Sequence, residues 1–284
     1  MSESTAWSPL ALMVAPNGAR RGHSDHPALP IGPAELAGCA RDCLAAGAAM
    51  LHLHVRDADG GHSLDADAYR AAIRAVRGAV GERMIIQVTT EAVGRYRPAE
   101  QMALVRALHP EAVSLAVREL VPDAAHEAAA AAFFGWLVGQ PIAPQYILYA
   151  VEDIQHLADL CRRGVIPDPA PWVLLVLGRY TPGQRSEPRD LLPLLAVLPD
   201  HWRWSGCAFG IRENACALTA MALSGHVRVG FENNLRLADG SVAPDNAALV
   251  AQEYGDLDRA IANLQQLDGN RFGEAQARGF DFSK

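Results

Sequence analysis

Cysteine is scarce in this chain, and its spacing suits neither a disulfide framework nor a cysteine-rich metal site. The 284 residues include five cysteines, an odd number, and no two of them form a CxxC pair. Cys39 and Cys43 are one helical turn apart, which is typical of small core residues. An odd count in a long chain favours reduced thiols, so we expect a cytoplasmic protein.

Long apolar runs and an excess of positive charge are also absent. The longest apolar stretch, Ala128–Gly139, falls short of the roughly 20 residues that cross a bilayer. The net charge is -7, and no stripe of basic residues offsets this excess of acidic residues. Nucleic acids and anionic membranes bind basic surfaces. We therefore expect no nucleic acid and no membrane as partners, and a small molecule instead.

What the sequence does contain is a regular alternation of apolar strands and amphipathic helices. Eight short, often β-branched runs start about 30 residues apart, which is the length of one βα unit. This pattern predicts an α/β fold, a single (β/α)8 TIM barrel over residues 1–284 with a short N-terminal tail and a C-terminal extension. A doubly wound sheet is the alternative, but the Gly-rich first turn of that fold is replaced here by Asn17-Gly18-Ala19-Arg20.

The boundaries follow from the hydrophobic periodicity. The predicted strands are Leu10–Ala15, Met50–Val55, Met84–Thr90, Ala112–Val117, Ile142–Ala150, Trp172–Leu177, Arg203–Phe209 and His226–Glu232. The predicted helices are Pro33–Ala46, Asp65–Val80, Pro98–Leu108, Ala124–Leu137, Val151–Arg163, Pro188–Leu198, Glu213–Ser224 and Asn246–Gln266.

Three side chains with metal-binding groups stand near strand ends, where the chemistry of such barrels is found. His52 and His54 are two residues apart on one strand, so they face the same way. Glu232 ends the eighth strand, which shares the parity of the second and can reach the same layer. Two histidines and one carboxylate are a ligand set of catalytic zinc. The alternative is a pair of hydrogen-bonded core histidines and an exposed glutamate.

Further polar side chains lie at or near the strand ends. Arg228 shares a face with Glu232, and it would be a costly unpaired cation unless it clamps an anion, carries a proton or pairs with a core acid. Beside Gly18, Arg20 and Arg21 suit an anionic ligand or form a solvated loop. Groups that can hydrogen-bond a substrate are those of Asn17, Thr89, Thr90, Ser114 and Tyr149.

Four motifs give the chain a resemblance to a known family. They are Pro16-Asn17-Gly18-Ala19, His23–Pro30 (HSDHPALP), Gly47–Asp57 (GAAMLHLHVRD) and Gly225–Asn234 (GHVRVGFENN). With these motifs the chain resembles the β-keto acid cleavage enzymes from about Ala15 to Ala248. That family consists of zinc-dependent (β/α)8 barrels and includes the 3-keto-5-aminohexanoate cleavage enzyme.

The resemblance implies a transferase reaction in which a β-keto acid and acetyl-CoA exchange to give acetoacetate and a new acyl-CoA. It implies that His52, His54 and Glu232 bind zinc (Zn2+). It also implies that Arg228 takes part in proton abstraction and that Thr89 helps to hold the substrate. Zinc on a keto oxygen would stabilise an enolate as a Lewis acid. A homo-oligomer, a dimer or a tetramer, is expected as well.

The chain departs from the family pattern in ways that bear on catalysis and on the substrate. The family has Asp directly after the metal-binding Glu, as the partner of the arginine, and this chain has Asn233. An amide can orient Arg228 but lacks the charge of a carboxylate. The amino-keto-acid enzyme carries acidic residues in the first loop and on strand five, where this chain has Arg20 and the uncharged segment Pro144–Tyr149. These changes predict a neutral or anionic β-keto acid, with Arg20 facing its tail.

Two other functions remain open from the residues. A zinc barrel hydrolase or aldolase would activate water, with Asp57 or Glu119 as the general base. The second alternative is a non-catalytic barrel that binds a metabolite, and the replacement of the family's Asp by Asn233 is the feature that supports it. The arginines considered for CoA phosphates are Arg179, Arg185 and Arg212, and His62 is interpreted as a surface or structural histidine.

Overall fold

Eight parallel strands close into a barrel in the computed structural model, which describes residues 10–256. The strands are β1 (Leu12–Val14), β2 (Met50–Leu53), β3 (Val55–Arg56), β4 (His62–Ser63), β5 (Ile85–Thr89), β6 (Ala112–Ala116), β7 (Ala143–Leu148), β8 (Trp172–Leu177), β9 (Arg203–Ala208) and β10 (His226–Val229). The barrel order is β1-β10-β9-β8-β7-β6-β5-β2, while β3 and β4 form a separate hairpin. The predicted (β/α)8 TIM barrel is confirmed, and β2 and β10 both flank β1.

The helices surround the barrel. They are α1 (Pro33–Ala45), α2 (Ala66–Val80), α3 (Pro98–Leu108), α4 (Val117–Leu120), α5 (Glu127–Val138), α6 (Val151–Arg162), α7 (Leu191–Leu195) and α8 (Glu213–Ala222), and residues 246–256 are also helical. Proline starts α1 and α3, and Asp65 caps α2 by accepting the N–H of Ala68 at 2.7 Å. Within residues 10–256, no helix is long and apolar enough to cross a membrane. The rest of the predicted helix Asn246–Gln266, the N-terminal tail and the C-terminal extension lie outside the described residues.

Side chains alternate along each strand, so one set points outward to the helices and the other points into the barrel. Outward-facing residues such as Val14, Leu51 and Val88 are fully buried under the helices. Inside the barrel lies a smaller apolar cluster of Ala116, Ile147, Leu174, Val176, Cys207 and Phe209. The same inner face carries buried polar side chains, namely His52, Gln87, Ser114, Gln145, Ser205 and Arg228. Because buried polar groups need partners, the barrel interior must be organised by hydrogen bonds.

The end of β10 differs from the prediction, and the difference positions Glu232. The predicted strand His226–Glu232 ends at Val229. At Gly230 φ is +133°, and a Cβ there would lie 2.5 Å from the carbonyl oxygen of Ala15. Only glycine can follow this path. The chain therefore leaves the strand at Gly230 and presents Glu232 from the turn 230–234.

The hairpin of β3 and β4 has no counterpart in the sequence-based expectations. Its turn is closed by Asp57 Oδ1, which accepts the N–H groups of Asp59 at 3.2 Å and Gly61 at 2.7 Å. The hairpin brings His62 back beside the end of β2. Three other segments also differ: Ala124–Leu137 opens as the 3-10 turn Ala124–His126, Pro188–Leu198 shortens to the 3-10 turn Pro188–Asp190 plus α7, and α4 follows β6 directly.

Candidate metal centre at the barrel mouth

His52, His54 and Glu232 meet at the carboxyl-terminal mouth of the barrel. The Nε2 atoms of His52 and His54 are 3.1 Å apart. Glu232 Oε2 lies 3.6 Å from the Nε2 atom of His52 and 3.2 Å from that of His54. The Glu232 side chain is only 13% exposed, so it is not the exposed strand-end glutamate of the alternative interpretation. The structure thus brings the three predicted ligands together.

The hydrogen-bond partner of His52 determines which ring nitrogen faces the centre. His52 Nδ1 lies 2.8 Å from Gln87 Oε1, an atom that only accepts, so Nδ1 carries the hydrogen. Gln87 Nε2 donates to Gln145 Oε1 at 3.1 Å, and Gln145 Nε2 donates to Ser205 Oγ at 3.2 Å, which fixes both amides. Burial lowers the pKa of His52 to about 3. The ring is therefore neutral at physiological pH, and its Nε2 lone pair faces Glu232.

A third histidine, His62 of β4, orients His54 in the same way. His62 Nε2 donates to the carbonyl oxygen of Glu91 at 2.9 Å. Burial lowers the pKa of His62 to about 3, so its Nδ1 bears a lone pair. That lone pair lies 3.4 Å from His54 Nδ1, which therefore carries the hydrogen and leaves Nε2 free for a metal. This role of His62 could not be predicted from its spacing, because His62 becomes a neighbour of His54 only through the hairpin.

The three ligand atoms suit a tetrahedral metal ion. With bonds of about 2.0–2.2 Å, neighbouring ligand atoms of a tetrahedron are roughly 3.3–3.6 Å apart. The separations in the structure are 3.1, 3.2 and 3.6 Å. Glu232 Oε2 is buried without a hydrogen-bond partner, which agrees with lone pairs on both facing nitrogens. A cation is the species that would satisfy all three atoms, and three protein ligands leave a fourth position open for a substrate.

Arg228 holds Glu232 in its carboxylate form. Arg228 Nη2 lies 3.1 Å from Glu232 Oε1 and 3.2 Å from Cys207 Sγ. Burial alone would raise the pKa of Glu232, but the adjacent guanidinium holds that pKa well below its ordinary value. Burial also opposes the charge of Arg228, yet Cys207 and Glu232 keep the pKa of Arg228 above its usual value. Arg228 is therefore a fixed cation beside the centre.

Behind Arg228 lie an amide and a second buried carboxyl group. Arg228 Nη2 donates to Asn233 Oδ1 at 3.1 Å, and Asn233 Nδ2 donates to Glu213 Oε1 at 3.1 Å. Glu213 begins α8 and also accepts the N–H of Gly230 at 3.1 Å and Asn234 Nδ2 at 3.2 Å. Burial raises the pKa of Glu213 to about 8. Glu213 was not among the site residues predicted from the sequence.

The loop after β1 packs directly against the centre. At Gly18 φ is +60°, and a Cβ there would lie 2.5 Å from Glu232 Cγ, so glycine is required. Arg21 Nη1 donates to the carbonyl oxygen of Glu232 at 2.9 Å and also to that of Phe231. Arg56 Nη2 donates to the carbonyl oxygen of Arg21 at 2.9 Å. Nη1 of Arg21 thus binds backbone carbonyls, and a contact of Arg21 with an anionic ligand stays a prediction.

A pocket opens beside the centre. Besides the three ligands and Arg228, it is lined by Thr89, Glu91, Ile147, Tyr149, Val176, Arg179 and Phe209. Thr89 and Tyr149, two of the predicted substrate-contacting residues, therefore lie in its wall. Glu91 Oε1 is 3.4 Å from Arg179 Nη2 and 3.9 Å from Arg20 Nη2. The negative charge of Glu91 is balanced by these two guanidinium groups.

The other predicted substrate-binding residues are placed differently. Asn17 is fully buried, its Nδ2 donates to the carbonyl oxygen of His54 at 3.2 Å, and its Oδ1 has no partner. Ser114 Oγ is also buried without a partner. Thr90 Oγ1 donates to the carbonyl oxygen of Ser114 at 3.0 Å and is not part of the pocket wall, while the Arg20 side chain is 59% exposed. Substrate contacts by these four residues stay predictions.

Neither acid considered as a base for hydrolysis lines the pocket. Asp57 Oδ2 pairs with Arg95 Nη1 at 3.0 Å in the hairpin turn. Glu119 Oε2 accepts the N–H of Ala92 at 3.0 Å and Gln101 Nε2 at 2.8 Å. Both carboxylates are occupied by structural partners, so the geometry does not favour activation of water by either of them.

Curated proteins and a family model match most of the chain. The model of the beta-keto acid cleavage enzyme family matches residues 9–267. The 3-keto-5-aminohexanoate cleavage enzyme of Fusobacterium nucleatum subsp. nucleatum is 28% identical over 253 residues, covering 85% of this chain and 88% of the relative. The 3-oxoadipate:acetyl-CoA acetyltransferase of Cupriavidus necator is 29% identical over 280 residues, covering 91% and 93%.

Solved structures share the barrel. The ternary complex of ObcA with C4-CoA adduct and oxalate has a TM-score of 0.64 at 18% identity, and the match covers 82% of this chain and 65% of ObcA, less than two thirds of its length. A type I 3-dehydroquinate dehydratase from Clostridium difficile has a TM-score of 0.57 at 9% identity, covering 88% and 93%. Such low identities show the fold alone. The family model reaches further, because it matches nearly the whole sequence, and the chain belongs to the β-keto acid cleavage enzyme family.

Proposed function

We propose that this protein catalyses the acetyl-CoA-dependent cleavage of a neutral or anionic β-keto acid, with zinc as its metal ion. The observation that carries the proposal is the centre of His52, His54 and Glu232, in which two imidazole lone pairs face a carboxylate oxygen beside the cation of Arg228. Membership of the β-keto acid cleavage enzyme family supports the reaction type.

The proposed reaction balances without an oxidant or a reductant. The bond between the keto carbon and the neighbouring CH2 group of the β-keto acid breaks, and the C–S bond of acetyl-CoA breaks. A new C–C bond joins the acetyl group to the released CH2–carboxylate fragment, which gives acetoacetate. A new C–S bond joins the remaining acyl group to CoA. Acetyl-CoA is therefore a co-substrate, and the metal is the only cofactor that the proposal requires.

His52, His54 and Glu232 would hold the zinc ion, which when bound acts as a Lewis acid on the keto oxygen. Arg228 keeps Glu232 ionised and places a positive charge next to the position where enolate charge develops. Its raised pKa makes an uncharged guanidine a poor resting state, so Arg228 assists proton abstraction as a cation. Thr89 is in the pocket wall, where its side chain can contact the substrate.

The pocket wall supports a neutral or anionic tail on the substrate. Glu91 in the pocket wall is paired with Arg179 of the same wall and with the exposed Arg20, and the wall also includes the apolar side chains of Ile147, Val176 and Phe209. The carboxylate of Glu91 is therefore already balanced and does not favour an ammonium tail, whereas an alkyl or carboxylate tail suits the apolar and cationic groups of the wall.

Similarity alone does not choose between these substrates. Besides the two enzymes above, the 3-dehydrocarnitine:acetyl-CoA trimethylamine transferase of Rhizobium meliloti is 26% identical over 285 residues. The three names differ in the substrate, so the charge of the pocket decides the proposal. Of the three arginines considered for CoA phosphates, Arg179 lines the pocket, and we propose that it contacts one of these phosphates. We further propose a cytoplasmic homo-oligomer, a dimer or a tetramer.

Metal analysis combined with a substrate panel tests the function. The purified protein would be assayed for bound metal and for acyl-CoA formation from β-keto acids with alkyl, carboxylate or amino tails at fixed acetyl-CoA. We expect bound zinc, a strict requirement for acetyl-CoA, and turnover of the alkyl or carboxylate substrates. His54→Ala should lose both metal and turnover. His126→Ala is the matched control, since His126 is an exposed histidine paired with Asp123.

Three results would contradict the proposal. Release of product without acetyl-CoA would indicate a hydrolase. Activity confined to amino-tailed substrates would overturn the assignment of the tail. Full activity of His54→Ala would remove the metal centre from the reaction.

A further inference from the structure

Arg228 lacks a complete counter-charge once a metal ion is bound. Its direct anionic partner is Glu232, which accepts from Nη2 through Oε1. The other oxygen of Glu232 faces the two histidines. A divalent cation bound at that point would share the negative charge of Glu232 with Arg228. Arg228 is buried, and a buried cation that shares its anion with a metal needs further negative charge nearby.

Glu213 is linked to Arg228 through one side chain. Arg228 Nη2 only donates, so the amide oxygen of Asn233 must face it, and the amide nitrogen then faces Glu213 Oε1. Both steps are 3.1 Å long, and Asn233 and Glu213 are fully buried. The carboxylate of Glu213 thus polarises the amide of Asn233, and the amide oxygen in turn attracts the guanidinium of Arg228 more strongly.

Glu213 is a carboxylate above about pH 8, because burial raises its pKa to that value. Its two oxygens accept three N–H groups, from Gly230, Asn233 and Asn234, and every one of these groups is a donor. Glu213 is also the first residue of α8, where the partial positive charge of the helix end favours an anion. Hydrogen bonds from N–H groups to the ionised form oppose the effect of burial.

We propose that Glu213 is a positioning residue: its carboxylate, linked to Arg228 through the amide of Asn233, would help to balance the charge of Arg228 when Glu232 is shared with a metal ion. This inference rests on the proposed function. It differs from a merely structural role, in which Glu213 would only close the turn 230–234. A structural role depends on the donors around Glu213, whereas the proposed role depends on one negative charge within reach of Arg228.

Moving the charge by one side chain separates the two roles. All assays are made at pH 9, where Glu213 is ionised: the unaltered protein then has one carboxylate in the pair, Glu213→Gln has none, Asn233→Asp has two, and the double variant again has one. For each full-length protein, kcat and KM would be measured with acetyl-CoA and the best β-keto acid of the panel, together with bound metal. Glu127→Gln is the matched control, because Glu127 is also the first residue of a helix and pairs with an arginine, Arg163, but does not line the pocket.

We expect both single variants to keep the metal and lose kcat by about 10–100-fold, with KM changed by less than about threefold. The double variant should recover kcat to within about fivefold of the unaltered protein, and Glu127→Gln should stay within about twofold. Unchanged kcat in Glu213→Gln, or a double variant no faster than Asn233→Asp, would overturn the inference. If Glu213→Gln does not fold, the comparison of Asn233→Asp with the double variant still decides.

Failure of the proposed function would look different. If the unaltered protein converts no β-keto acid, the proposed function is overturned, and unfolding in urea then tests the inference. The double variant should unfold at a higher urea concentration than Asn233→Asp, because it removes one of two facing carboxylates. Equal midpoints for these two proteins would overturn the inference as well.

Discussion

Replacing His62 should weaken metal binding, although His62 is not a ligand. In His62→Leu, His54 Nδ1 loses the acceptor that lies 3.4 Å away, and His54 is then free to adopt the tautomer with hydrogen on Nε2. Partners of this kind change metal affinity by about 10–100-fold. Because the contact is long, we expect a loss near the lower end, about tenfold or ~1.4 kcal/mol. Leucine has a similar size and should keep the hairpin packed.

The assay is a competition between the metal-free protein and a coloured zinc chelator, with cobalt absorption as a check on the coordination geometry. His62→Asn is the matched variant, because its amide oxygen can take the place of Nδ1 as acceptor, so it should lose less affinity than His62→Leu. His126→Ala, at an exposed histidine, should lose none. Zinc affinity of His62→Leu equal to that of the unaltered protein would refute the assigned tautomers.

Three further predictions concern stability, the first loop and the substrate. Burial raises the pKa of Glu253 to about 8, so the folded chain holds a proton that the unfolded chain releases above about pH 4.5. The free energy of unfolding should therefore fall from pH 4.5 to 8. In urea titrations, Glu253→Gln should abolish roughly 2–4 kcal/mol of this fall. Gly18→Ala would push a methyl group into Glu232, and competition assays should show zinc affinity reduced by about tenfold or more. Arg179→Ala should leave Glu91 less balanced, so KM should rise more for carboxylate-tailed than for alkyl-tailed substrates; equal changes for both would contradict this assignment.

The barrel and its three ligands could be predicted because both depend on regular repeats. Strand spacing indicates the number of βα units, and the alternation and parity of the strands put His52, His54 and Glu232 on the inner face of the barrel. Even here the route to Glu232 differs, since the strand ends at Val229 and the turn that starts at Gly230 delivers the side chain. The ligand set was visible in the sequence, but the backbone path that presents it was not.

The residues that support the ligands were not predictable in the same way. Gln87 occurs on a predicted strand, but its bond to His52 depends on the register of β2 with β5, which pairs these two residues. Glu213 reaches Asn233 only because α8 packs against the end of β10. Neither contact leaves a periodic pattern in the sequence. Both follow from closure of the barrel, which brings distant segments into contact.

The two histidines of the centre need different partners because they occupy different heights of the barrel. His52 lies within β2, and its neighbour on β5 supplies Gln87 from inside the barrel. His54 lies one layer higher, just beyond the end of β2, where the strand pairing with β5 has stopped. Thr89 follows at that height of β5, but its Oγ1 accepts the N–H of Glu91 at 3.1 Å, and the hairpin of β3 and β4 supplies His62 to His54 instead. A shortened hairpin that still closes the barrel should therefore keep the orientation of His52 and lose that of His54.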